Sequence, residues 1–417
     1  MKLICRLFSQ QVLVPTKPRT IDQPASYFLR RHDEVSGMTA ELLWRLVDLS
    51  EELNEVQQGA GDGVHLGTWT DLHQAACSGD VHLAKTYLQH GALVDSRDEF
   101  GCTPLHYAVL KGCQSLVKLL VHRGAEIDAT DRHSWTPLHR AAWNGHTQIA
   151  DLLLQRGAST GVPTRRGLTA LHCAAAGGHL LIAQQLLNYG ASAEAADAQR
   201  WTPLHWAVVS DRLHIIEFLL SRGVSTHGTT RGNMMPLHLA AEVGNRKVIE
   251  MLLETGTCIN AEDAVGRTAL SIAAANGQEE VLVDLLAHGA ADSNKVSALQ
   301  AAAGMGHFRI MDLLMQQGAS VDARDGLNMT ALHRAAERGD ADVAEYLIER
   351  GADIEARGWL MNTPLHLATK RGHERTIQLL LSRGANMYTT NLWYETPLDI
   401  ASARDCHSGF CGSEKQN

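Results

Sequence analysis

Helical periodicity runs through most of the chain in short blocks of two alternating kinds. In the first kind, Leu138, Ala141 and Ala142 share one face by i, i+3, i+4 spacing, while Arg140, Trp143 and Asn144 share the opposite face. In the second kind, residues 114–123, the apolar positions Leu116, Val117, Leu119 and Leu120 form a broader stripe. Each block predicts a helix too short to bury its apolar face alone. Upstream, Leu42, Leu46, Leu49, Leu53 and Val56 stand 4, 3, 4 and 3 residues apart, which predicts one longer amphipathic helix over residues 39–58.

The blocks recur in register. Thr103-Pro104-Leu105-His106 returns at Thr136, Thr202 and Thr363, and degenerate copies begin at Thr70, Thr169, Met235, Thr268, Ser297, Thr330 and Thr396. Successive starts lie 33 residues apart except from Thr268 to Ser297, where the step is 29. Self-similarity at such a period is the mark of a solenoid, in which each unit buries its apolar face against the next. A Thr before Pro caps a helix whose first turn tolerates the missing N–H of proline. Gly ends the first helix at 79, 112, 145, 178, 244, 277, 306, 339 and 372, and Asp211 fills that left-handed position once. A second Gly ends the second helix in all ten complete units, from Gly91 to Gly384. A turn-rich loop follows, as in Asp98-Glu99-Phe100-Gly101 or Asp263-Ala264-Val265-Gly266.

These residues, from about 66 to 402, resemble the ankyrin-repeat family. Arg357-Gly358-Trp359-Leu360 and the unit after it resemble ankyrin proteins that consist of little besides the array. The resemblance implies an all-α repeat solenoid of stacked helix-turn-helix units, with the loops projecting as β-hairpin fingers. It also implies protein binding along a concave face, with no catalytic activity. Ten full repeats and a partial terminal one are expected over 66–402, with one finger shortened at 290–298. Residues 1–35 and 403–417 lack periodicity and are expected to be disordered. Residues 36–65 read as a capping helix with a Gly-rich linker, or else as a partner-docking helix. A cap implies a monomer.

Composition narrows the partner. The net charge of −9 speaks against nucleic acid, which selects a basic surplus. The eight cysteines contain no CxxC and fit a reducing, intracellular compartment, cytoplasmic or nuclear. No apolar stretch is long enough to span a membrane, and the N-terminus carries no secretory signal. Twelve of the 22 histidines fall in repeat register, where the family resemblance implies hydrogen bonds to neighbouring backbone and not metal ligation. The spacing of Cys406, His407 and Cys411 matches no zinc pattern. No phosphate loop or nucleophile elbow stands outside the repeats, so no cofactor and no catalytic residue is expected.

The outward face of each first helix is not dictated by stacking, so its chemistry is informative. It carries Tyr107 and Leu110, then Arg140, Trp143 and Asn144, then Trp206, then Val243. The finger position before each tetrapeptide reads Cys102, Trp135, Leu168, Trp201 and Met234, an apolar run at a normally exposed place. Partner binding is therefore expected through Tyr107, Leu110, Trp135, Arg140, Trp143, Asn144, Trp201, Trp206, Met234 and Val243. The other reading of Trp135 and Trp201 is that they pack on neighbouring fingers. The family resemblance also implies asparagine hydroxylation at Asn260, where Leu252 lies eight residues earlier and Ile259 just before, although Cys258 departs from the acidic preference. Alternatively, Asn260 caps its own turn.

Overall fold

The computed structural model describes residues 69–291 and 297–402. The expected segments 1–35, 36–65 and 403–417, and residues 292–296 of the expected short finger, lie outside the described residues. The chain divides into two compact units at Ser225 and Thr226.

In the first unit, first helices at Asp71–Ser78, Pro104–Leu110, Pro137–Asn144, Ala170–Gly177 and Pro203–Val209 alternate with second helices at Val81–Gln89, Gln114–His122, Thr147–Gln155, Leu180–Asn188 and Leu213–Ser221. First helices stack on first helices and second on second. The second unit repeats this order from Pro236–Val243 to Glu374–Ser382 and ends on the single helix Pro397–Ser402. The first helices on either side of the shortened finger, Ala269–Ala275 and Ala298–Met305, still pack directly together.

One tetrapeptide explains how each first helix starts. Thr136 lies in extended conformation, and its hydroxyl accepts from the His139 amide at 3.4 Å. The Thr136 amide in turn donates to His139 Nδ1 at 3.2 Å, so two orphan donors are satisfied by one pair of side chains. Nδ1 must therefore hold a lone pair, which places the ring proton on Nε2. That nitrogen donates to the Leu168 carbonyl, 3.0 Å away in the next repeat. His73, His106 and His172 make the same bond to Cys102, Trp135 and Trp201, and His333 and His366 to Asn362 and Glu395. The repeat histidines are thus pins between neighbouring repeats, each needing its neutral form.

The helix ends follow the sequence. Gly145 closes its helix at φ +79°, and Asp211 holds the equivalent position at φ +55°. Leu138, Ala141 and Ala142 are fully buried, as are Leu116, Val117 and Leu120. The fingers are hairpins closed by tight turns; among the described residues none pairs as a strand. Asp98 N–H donates to the Cys102 carbonyl to close one hairpin. Neighbouring tips are joined by single backbone bonds, such as Arg132 N–H to Phe100 O at 2.9 Å and Leu392 N–H to Leu360 O at 2.9 Å.

Candidate protein-binding surface

Much of the face expected to be exposed is buried, because each finger reaches back over its helix. Asp131 starts a finger. Its Oδ1 accepts from the amides of His133 and Trp135 at 2.9 and 2.8 Å, and its Oδ2 accepts from Arg140 at 2.7 Å, nine residues on. Asp98 does the same for Tyr107, and Asp197 for the Trp206 indole. Tyr107, Arg140 and Trp206 are therefore covered by their own fingers, correcting the expectation that they face a partner. In the second unit Asp325 holds Arg334 at 2.7 Å in the same way.

Trp135, Trp201 and Met234 are corrected too. The residue before each tetrapeptide is fixed through its backbone: Trp135 donates its amide to Asp131 and accepts from His106 through its carbonyl. Its side chain is thereby drawn under the finger, where it is 1 % exposed and meets Trp143 edge-on at 6.2 Å between ring centres. Trp201 packs against Trp206 at 5.5 Å, and Met234 is buried. Leu110, Trp143, Asn144 and Val243 remain partly accessible. Asn144 spends its amide on the Arg140 carbonyl at 2.9 Å.

Sequence reasoning missed a second surface, at the tips of the last fingers in the second unit. Trp359 and Trp393 are each 55 % exposed, Leu392 is 58 % and Tyr394 is 86 % exposed, with Leu327 and Met361 beside them in sequence register. The tips are tied together. Leu392 bonds Leu360 through the backbone, and Asn328 Nδ2 donates to the Arg357 carbonyl at 3.0 Å. Three of these bulky residues also occupy the left-handed region: Leu360 at φ +58°, Met361 at +61° and Tyr394 at +62°. Gly266 fills the equivalent tip position in an earlier finger at φ +88°. A side chain other than Gly costs about 1–2 kcal/mol there. The signal was available: Trp359 and the run Leu392-Trp393-Tyr394 put large apolar residues where tips normally carry polar ones or Gly.

The chemistry available is that of binding. Among the described residues no three His, Cys, Asp or Glu side chains converge to hold a metal. The Cys102 and Cys173 thiols are buried, and burial pushes their pKa values far above the usual range, so neither is a ready nucleophile. No helix among the described residues is long and apolar enough to cross a membrane.

Asn260 is exposed where the sixth repeat's second helix runs into its finger, and its Oδ1 accepts from the Ala291 amide at 2.8 Å. Asp95, Asp128 and Asp322 make the same bridge to residues 31 positions on. Asn260 thus pins the next repeat.

Comparison with known proteins agrees with this geometry. The family model for ankyrin repeats in three copies matches residues 72–164, 138–230, 224–296 and 282–358, and the single ankyrin-repeat model matches 361–392. Among solved structures, the chain is similar to the human ASB11 ankyrin repeat domain at 28 % identity and a TM-score of 0.49, over 54 % of this chain and 100 % of that one. No curated protein matches. With the capped helix pairs, the histidine pins and family matches running from residue 72 to 392, the chain belongs to the ankyrin-repeat family.

Proposed function

We propose that this chain is an intracellular, monomeric protein-binding scaffold or adaptor, and that its partner docks on the exposed fingertips of the last repeats. One observation carries the reading. Consecutive tips, bonded to one another, expose Trp359, Leu392, Trp393 and Tyr394 to solvent. Contiguous exposed apolar surface marks interaction sites, and Trp and Tyr lead the residues that dominate interface energies. The unpaired cysteines Cys77, Cys102, Cys113, Cys173 and Cys258 support a reducing compartment.

Tyr394→Gly separates binding from folding. Relief of the left-handed conformation outweighs the added freedom of Gly in the unfolded chain, so stability holds or rises by up to ~1 kcal/mol. Binding falls, because the most exposed aromatic is gone. Thermal melting and quantitative affinity purification of the two proteins side by side measure both. A variant that binds all its partners as before refutes the fingertip reading.

Asn260 hydroxylation is a proposal on a different site. The bridge to Ala291 must open before an oxygenase can hold this segment extended. Thr257 places a buried hydroxyl without a partner in the same turn, which favours that opening. Mass spectrometry of protein from cells is expected to show a peptide containing Asn260 heavier by one oxygen; a wholly unmodified peptide, in cells that hydroxylate other ankyrin repeats, refutes it.

A further inference from the structure

The tips place a partner, and the groove beside them selects its chemistry. Trp393, Ile400, Lys370, Glu395 and Asp399, with Asn362 and Asn391, line a groove of about 240 Å³. The two asparagines are consumed internally. Asn391 Nδ2 donates to Asn362 Oδ1 at 3.3 Å and Glu395 Oε2 at 3.2 Å, and its Oδ1 accepts from the Trp393 and Glu395 amides at 2.9 and 3.0 Å. Asn362 Nδ2 donates to the Trp359 carbonyl at 3.1 Å. What remains for a ligand is an indole face, two carboxylates, the Lys370 ammonium and the apolar side chain of Ile400. Asp399 receives both the amide and the hydroxyl of Thr396 on Oδ2, at 2.8 and 2.7 Å, and these bonds hold its carboxyl below the usual range, so it is ionised at neutral pH. Asp399 Oδ1 and Glu395 Oε1 accept no bond among the described residues.

A half-exposed indole beside two carboxylates with open oxygens fits a cation. A guanidinium stacks on the ring while its N–H groups donate to carboxylate oxygens, and an ammonium does the same less directionally. Around the groove the tips offer apolar surface at Trp359, Leu392 and Tyr394. We propose that the docking segment is extended and carries one arginine or lysine flanked by apolar residues, with the cation in the groove against Trp393, Glu395 and Asp399. Lys370 also lines the groove and forms no ion pair among the described residues. Its charge disfavours a second cation, so a single basic residue is selected over a polybasic run. The inference rests on the fingertip reading and specifies its partner.

A random 12-residue library displayed on phage, panned against the full 417-residue chain, tests both levels. The enriched sequences are expected to carry one basic residue between apolar ones. Synthetic peptides of those sequences should bind at least tenfold more weakly to Trp393→Ala and to Glu395→Gln, and severalfold more tightly to Lys370→Glu, with melting curves confirming that each variant is folded. Peptides that depend on Trp359 and Trp393 but lack a basic residue, carry a run of them, or ignore Glu395→Gln overturn the inference and leave fingertip docking standing. Selection of peptides indifferent to Trp359→Glu overturns both. A dimer seen by light scattering and abolished by Trp393→Glu makes a second copy the occupant, and overturns the inference as well.

Discussion

Acidification from pH 7 to pH 5 is expected to unfold the first unit before the second. In the first unit His106, His139 and His172 are buried, and burial above all pushes each pKa down to about 4 from 6.5; among the described residues of the second unit only His333 is pushed as far. Each ring must stay neutral to accept at Nδ1 while donating from Nε2. Between pH 6.5 and about 4 the unfolded chain therefore binds more protons than the folded one, and stability falls as pH falls. Each histidine contributes ~1.4 kcal/mol per pH unit in that window, so three together cost about 4 kcal/mol per unit, against total stabilities of about 5–15 kcal/mol for a domain. Hydrogen exchange at pH 5 and 7 reads the two units separately. The chain itself supplies the control. Where Gln300 stands in place of the pin histidine, its Oε1 accepts from the Ser297 amide at 3.1 Å and its Nε2 donates to the Met329 carbonyl at 2.9 Å, making the same two bonds with a side chain that does not titrate. His106→Gln, His139→Gln and His172→Gln combined should move the acid transition of the first unit to lower pH. An unchanged transition would mean that other groups govern it.

Asp131→Thr is expected to destabilise the first unit by ~3–5 kcal/mol, the usual cost of leaving a buried ion without its counterpart. Arg140 and Asp131 are each 1 % exposed, and Arg140 NH1 already lacks a hydrogen-bond partner, so removing the carboxylate strands a whole guanidinium over the Trp135 ring. Adding Arg140→Leu should restore most of the loss, to within ~1 kcal/mol of the parent, because a well-packed apolar residue replaces a buried ion pair at little cost. Two repeats already use that solution. Thr230 starts a finger whose ninth following residue is Leu239, and Thr164 is followed by Cys173, whereas Asp98, Asp131, Asp197 and Asp325 are followed by Tyr107, Arg140, Trp206 and Arg334. Urea denaturation of the single and double variants gives the coupling energy directly. Additive losses would show that finger and helix are not clamped through this pair.

The same correlation shows how far the sequence could be read. The helix pairs, their Thr–Pro starts, the left-handed Gly and even Asp211 were legible, because local backbone chemistry dictates them repeat by repeat. The buried state of Tyr107, Arg140 and Trp206 was not, since stacking alone leaves that helix face open. It is closed by an aspartate nine residues earlier, whose second oxygen needs a donor. Its trace in the sequence is the pairing of Asp with a donor nine residues on and of Thr with an apolar or thiol side chain, except at Asp263, where Ile272 follows and Arg267 supplies the donor to Oδ2 instead. The fingertip surface was hidden for a related reason. The apolar run sought along the fingers lay one position past the tip, where backbone bonds to the finger aspartate and the histidine pin draw Trp135 and Trp201 inward. The residues that stay outside, Trp359, Leu392, Trp393 and Tyr394, sit at the tips themselves.

The account stands on those tips, and site-specific photo-crosslinking tests it most directly. A benzophenone side chain introduced in place of Trp359 or Tyr394 in the full chain, in cells, should form adducts with partner proteins, while the same group in place of Leu110 or Trp143 forms few. Adducts at 110 and 143 with none at 359 or 394 would return the binding site to the helix face and contradict the account.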